Sequence, residues 1–221
     1  MMKFFRRFND LGISGSFARW YNKNSREHRL EEMKSYAQEA AKNINSGASV
    51  LEVAPGPGYL SIELAKLGSY KITGLDISKD FTIIARENAK AAGVEVDFLQ
   101  GNAAEMIFRD NMFDFIICTA AFKNFKQPGR VLSEFYRVLN PGASALIIDM
   151  NPDVSNMQLD DYTNEMNLKG IEALFMKLMF KYFLKKGAHN KNSFKELISK
   201  SEFQNYDVRE IGICLNVYLR K

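Results

Sequence analysis

Apolar and polar positions change period several times along the chain, and each change marks an element. Phe4, Phe5, Phe8 and Leu11 recur at helical spacing, with Arg6 and Arg7 turned away. A second helix is predicted from about Ser25 to Asn45, with Gly47 as its stop signal. Residues 49–54 (SVLEVA) are almost continuously apolar, as in a strand covered on both faces. A helix follows from Tyr59 to about Leu67, then a strand over 71–76 (KITGLD) and a helix capped by Ser78 and running to Ala92. Strands are predicted at 94–100, 113–119 and 143–150, with a helix from Pro128 to Leu139 stopped by Asn140-Pro141-Gly142. Alternation of this kind predicts a parallel sheet with right-handed crossovers. Residues 206–213 run almost directly into 214–221, and so short a connection makes an antiparallel hairpin. The expected fold is α/β: a doubly wound, mostly parallel seven-stranded sheet with an antiparallel last strand.

Four segments are expected within one domain: a helical lead or lid (1–46), a body (47–150), a helical insert (151–202) and a terminal hairpin (203–221). Composition narrows the class. The chain has 221 residues, 46% hydrophobic and 25% charged, enough for a sizeable core. A net charge of +4 favours acidic surfaces without requiring a nucleic-acid partner. Two cysteines and two histidines exclude a disulfide framework and a four-cysteine zinc site, and no metal spacing is evident. No apolar run is long enough to span a membrane, and the basic, aromatic start lacks a signal-peptide apolar region. The expected compartment is the cytoplasm.

The main constellation is Glu52-Val53-Ala54-Pro55-Gly56-Pro57-Gly58, where the first strand of the body meets its first helix. Small residues there let a ligand approach the backbone in front of a helix N-terminus. Asp76 ends the next strand, where a carboxylate can accept both hydroxyls of a ribose. Gly56-Pro57-Gly58 also approaches a dinucleotide fingerprint. Two features favour a different ligand. Glu52 would repel a pyrophosphate but suits a cation. Pro55 and Pro57 lack the N–H groups a phosphate cradle needs. The ligand expected is an adenosine that carries a positive charge.

With these residues the chain resembles the class I S-adenosylmethionine-dependent methyltransferases, in the small-molecule branch that includes quinone-biosynthesis methylases. VLEVAPGPG is similar to their first motif, with Ala54 in place of the first glycine. LDIS (75–78) resembles the ribose motif, and GNAAEM (101–106) the adenine-contacting segment, with Asn102 in the commoner Asp position. Residues 113–125 and 131–149 resemble the fourth strand, its helix and the fifth strand. The resemblance implies S-adenosyl-L-methionine as cofactor and S-adenosyl-L-homocysteine as product. It implies cofactor contacts from Glu52, Ala54, Gly56, Gly58, Tyr59, Asp76, Ile77, Asn102, Ala103 and Thr119.

The acceptor side carries weaker signals. The Asn/Asp-Pro-Pro-Tyr/Phe motif of planar-nitrogen methylases is absent, and Lys123-Asn124 stands where many small-molecule relatives carry a histidine pair. Methyl transfer needs alignment and desolvation more than a base. Candidate catalytic groups are Tyr21 in the aromatic lead, His28, and Asp149, expected to face the cleft at the end of strand five. Residues 171–184 (IEALFMKLMFKYFL) form an apolar stretch with a lysine stripe. It reads as a core or dimer helix, as a lid over an apolar acceptor, or as a surface dipping into a membrane interface. The expected partner is a small apolar or aromatic acceptor. A nicotinamide-dependent oxidoreductase, a non-catalytic cofactor-binding module and an RNA methylase are the competing readings.

Overall fold

A computed structural model describes residues 12–165, 170, 174, 177, 178 and 187–221. The expected helix over Phe4–Leu11 lies outside them, as does most of the 171–184 stretch. Along the chain run α1 (Gly15–His28), α2 (Leu30–Ala41), β1 (Ser49–Val53), α3 (Tyr59–Ala65), β2 (Lys71–Asp76), α4 (Lys79–Ala92) and β3 (Asp97–Gln100). Then come β4 (Phe113–Thr119), a short 3-10 turn (Phe122–Asn124), α5 (Pro128–Val138), β5 (Leu139–Met150), α6 (Asn156–Glu165), α7 (Lys191–Ser199), β6 (Asn205–Ile211) and β7 (Cys214–Arg220).

The strands form one seven-stranded sheet in the order β3-β2-β1-β4-β5-β7-β6. β3, β2, β1, β4 and β5 are parallel, while β7 is antiparallel to both β5 and β6. The expected doubly wound sheet with its antiparallel end is therefore present. Strand order reverses between β1 and β4, so the ends of these strands open a crevice. Apolar residues cover the sheet on both faces. Leu51, Ile116, Phe135 and Phe194 belong to one buried cluster, and Val50, Leu60, Ile117 and Phe98 to another.

Three boundaries differ from expectation. The predicted helix over Ser25–Asn45 is two helices, broken at Arg29 (φ −123°, ψ 2°). The chain holds together across the break because the N–H groups of Arg29 and Met33 still donate to the carbonyls of Ser25 and Arg29. The third strand begins at Asp97 rather than residue 94, since only Asp97–Gln100 has a partner in β2. Asn140-Pro141-Gly142 stops α5 but does not delay β5. Leu139 already pairs with Phe113, and the Pro-Gly segment is taken up as a bulge before Ser144 pairs with Phe115.

The lead docks on the body rather than extending away. Ala18 is buried against Phe81 and Ile84 of α4, with Ile13 and Tyr21 alongside. Polar contacts fix the same junction. The Ser78 hydroxyl donates to the Ile13 carbonyl, and the Gly15 N–H donates to Asp80 (2.6 Å). Asn22 Oδ1 accepts from the Tyr59 hydroxyl (2.8 Å) and from Asn88 Nδ2 (2.9 Å), which also reaches the Pro57 carbonyl.

Candidate active site

A cavity of about 450 Å³ opens at the C-terminal ends of β1, β2 and β4, roofed by α1 and the start of α2. That volume is in the range of small-ligand sites. Its floor is shaped by residues in the left-handed region. Gly56 has φ +55° and Gly58 φ +81°. Ala54 (φ 58°) and Ala120 (φ 53°) adopt the same region just after β1 and β4, at a cost of roughly 1–2 kcal/mol each. Both alanines line the cavity, and each N–H is held by a neighbouring strand, Ala54 by Leu75 O and Ala120 by Ile148 O. The turn thus folds back sharply enough to expose its backbone even where alanine replaces glycine.

Two carboxylates stand side by side at this floor. Glu52, 2% exposed, accepts from the Ser61 N–H (3.0 Å) and from the Ser61 hydroxyl. Burial pushes its pKa up to about 7 against the two Ser61 bonds, and the Asp76 charge adds to the rise. Asp76 accepts one bond on each oxygen, from Ser78 N (2.8 Å) and Gly56 N (3.0 Å). Burial raises its pKa as well, and these backbone donors oppose the rise. Each oxygen keeps lone pairs for a further donor. The arrangement suits hydroxyl donors and a cation, and is hostile to phosphate.

The cavity brings together Glu52, Ala54, Gly56, Tyr59, Asp76, Ile77, Asn102, Ala103 and Thr119 from the expected cofactor set, and Tyr21 from the lead. Gly58 lies outside the lining. It supports the turn from beneath, where an added Cβ would sit 2.6 Å from Phe98 Cζ and 2.9 Å from Ala85 Cβ. Asn102 shapes its own loop by accepting from the Ala104 N–H (3.0 Å).

Two expected candidates are corrected. Asp149 does not face the cleft. It is 2% exposed and accepts from Lys123 N (2.8 Å), Lys123 Nζ (3.1 Å) and Met150 N (2.8 Å), so both oxygens serve the turn after β4. His28 is an exposed residue in the last turn of α1, outside the cavity lining. His189 packs against the rings of Phe122 and Phe194, and burial lowers its pKa.

Sequence reasoning missed Arg29, Ser25 and Met33, which line the cavity from the break between α1 and α2. Arg29 donates to Tyr21 Oη (3.1 Å) and Glu32 Oε2 (2.8 Å), and the Tyr21 ring lies 5.6 Å from that of Phe81. The spacing of Ser25, Arg29 and Met33 at i, i+4 and i+8 was the available signal.

The seven-stranded sheet is a fold this chain shares with solved methyltransferases. Residues 51–147 match the family model described as a methyltransferase domain. Demethylmenaquinone methyltransferase of Chlorobaculum parvum is 32% identical over 152 residues, covering 66% of this chain and 61% of that protein. The Thermus thermophilus protein of the same name is 34% identical over 104 residues, 47% of each chain. The chain therefore spans less than two thirds of the length of these curated relatives. Among solved structures, a SAM-dependent methyltransferase of Aquifex aeolicus superposes with a TM-score of 0.68 at 20% identity, covering 94% of this chain and 98% of that one. A Methanococcus maripaludis protein, provisionally assigned as an S-adenosyl-L-methionine-dependent methyltransferase, gives 0.78 at 20% identity, with 95% and 97% covered. At this identity the structural likeness establishes the fold.

Proposed function

We propose that the protein transfers a methyl group from S-adenosyl-L-methionine to a small, apolar or aromatic acceptor by in-line displacement. The observation that carries this reading is the pair of buried carboxylates, Glu52 and Asp76, on adjacent strand ends beneath a backbone turn poor in N–H donors. The cofactor fits the residues present. Asp76 offers free lone pairs for a ribose diol, Ile77 and Ala103 an apolar wall for the adenine, and Glu52 a negative charge for the cationic end. When bound, the cofactor supplies a methyl carbon already activated by its sulfonium.

The chain's part is to align and to exclude water. Tyr21 and Phe81 present aromatic surface to the cavity, and Thr119, Ala120, Ala121 and Phe125 line it along the turn after β4. With Asp149 tied to Lys123 and His28 on the surface, neither candidate base reaches the cavity. The reading therefore assigns no general base from this set. It favours an acceptor that ionises on its own or needs no deprotonation before attack. A cytoplasmic location goes with this reading. Both described cysteines are free, and no helix among the described residues is long and apolar enough to cross a membrane. Dimer formation and membrane-surface contact rest on the 171–184 stretch, which lies mostly outside the described residues.

The test is transfer of a labelled methyl group to a panel of lipophilic phenols, quinones and amines, followed by mass spectrometry. Labelled product and S-adenosyl-L-homocysteine in equal amounts support the reading. Cofactor binding with no turnover on any acceptor would favour the non-catalytic module instead. Reduction of a substrate by NADH would favour the oxidoreductase.

A further inference from the structure

Helix α1 carries two different flanks on its outward side. Ala18 and Ser25 are buried and Tyr21 packs beside Ala18, so these residues mark the side turned to the body. On one outward flank stand Phe17 and Trp20, three residues apart and 40% and 56% exposed, with their rings stacked at 5.3 Å and 20°. Phe17 also lines the cavity, so the aromatic pair sits where the cavity meets solvent. On the other flank Arg19, Lys23 and Arg26 recur at i, i+4 and i+7, and all are exposed. Against these three cations α1 carries one acid, Glu27. Its contact with Lys23 is 3.9 Å long between exposed side chains, which leaves the lysine available to another anion. Two large rings held in water beside a cationic stripe have the composition of an interfacial helix surface.

We infer that the outward side of α1 docks on an anionic lipid bilayer, with the Phe17–Trp20 pair in the boundary between headgroups and acyl chains and Arg19, Lys23 and Arg26 against lipid phosphates. A tryptophan suits that boundary because its ring is apolar over most of its area and carries an N–H at one edge. Each Lys or Arg close to an anionic surface strengthens binding about fivefold. Protein interfaces are depleted in lysine, whereas anionic headgroups reward it, so the charge pattern favours lipid over a protein partner. The surface is also held in place before contact. The Gly15 N–H donates to Asp80, and Asn22 accepts from Tyr59 and Asn88, so α1 is anchored to the body and docking orders little chain. Docking here sets the mouth of the cavity against the bilayer, and an apolar acceptor then reaches the cavity without crossing water. That delivery rests on the proposed function; the docking itself does not. The contact is separate from any made by the 171–184 stretch.

Trp20 is the single tryptophan of the chain, so its fluorescence reports this surface alone. The experiment titrates the chain, without cofactor or acceptor, with vesicles of mixed phosphatidylglycerol and phosphatidylcholine and with vesicles of phosphatidylcholine alone. Anionic vesicles should shift the emission to the blue, lipids spin-labelled near the headgroup should quench it, and added salt should weaken both effects. Phosphatidylcholine alone should give a much smaller shift. In co-sedimentation with anionic vesicles, Arg19→Gln combined with Lys23→Gln should weaken binding roughly twentyfold to thirtyfold. Trp20→Ala should weaken it roughly tenfold or more. Lys195→Gln combined with Lys200→Gln removes the same charge at α7, which packs on β6 at the opposite end of the sheet from α4 and α1, and should change binding by less than about twofold. All these side chains are exposed, so each variant should melt close to wild type. An unmoved emission maximum with anionic vesicles would overturn the inference even if the chain sediments with them, since the contact would then lie elsewhere. Equal losses from the two charge-removing pairs would overturn it as a general charge effect. A blue shift on raising protein concentration without vesicles would give the surface to a second copy of the chain and overturn it too. No methyl transfer is measured, so a failure of the methyltransferase reading leaves each of these results intact.

Discussion

Glu52 provides the sharpest link between stability and the proposed chemistry. Its pKa in the folded chain is about 7 against an ordinary 4.5, and burial is the main cause. The folded state therefore holds the proton more tightly than the unfolded chain does. Folding is favoured while the group stays neutral in both states. That advantage is lost as pH rises from about 4.5 through about 7, and above pH 7 the folded protein bears the full penalty of a buried charge. A difference of about 2.5 in pKa corresponds to about 3 kcal/mol. Glu52→Gln keeps the shape and can still accept from Ser61 N, but it has no charge to bury. The variant should be more stable than wild type at pH 8 by about 3 kcal/mol, or roughly 6–12 °C in Tm for a chain of this size. The gap should close as pH approaches 5. Thermal and urea unfolding at four pH values between 5 and 8.5 measure it. The same substitution should weaken binding of a cationic cofactor at pH 8, so stability rises while function falls. A variant that is less stable than wild type at pH 8, or a gap that does not change with pH, would refute the reasoning.

Further outcomes follow from contacts elsewhere. Gly58→Ala forces a Cβ to within 2.6 Å of Phe98 at φ +81°, and should lower stability by about 2–4 kcal/mol in urea unfolding. Lys123→Met leaves Asp149 charged and buried without its ion-pair partner; a loss of about 3–5 kcal/mol is expected, largely recovered when Asp149→Asn is added. Ser78→Ala removes the bond to the Ile13 carbonyl and the cap on the Phe81 N–H, so limited proteolysis should cut the segment before α1 faster while the core stays intact.

What could be read from the sequence was set mostly by local chemistry. β4 was legible to the residue, because Phe113–Thr119 is a short, largely apolar run with four consecutive buried residues, Phe115 to Cys118. The α4 start was equally clear, since Ser78 caps it through the Phe81 N–H. The floor of the site was legible because Glu52, the glycine turn and Asp76 lie at strand ends, where topology alone brings them together. The roof was not. Ser25 to Ala41 contains neither glycine nor proline, so nothing local marks the break at Arg29. Arg29 also sits in the run Arg26-Glu27-His28-Arg29, which reads as a solvated face, although Arg29 shares a helix face with Ser25 and Met33 and lines the cavity with them. Asp149 failed for the complementary reason. A strand end points toward the crevice on average, but Lys123 draws this carboxylate into the turn, a contact between residues far apart in sequence.

The central claim is that the carboxylate floor selects a cationic adenosine ligand over a dinucleotide. Calorimetric titration of wild type and Asp76→Ala with S-adenosyl-L-methionine, S-adenosyl-L-homocysteine and NADH tests it most directly. Micromolar binding of the first two, none of NADH, and a loss of roughly tenfold to a hundredfold in the variant are the predicted results. Binding of NADH with neither adenosyl ligand would contradict the account.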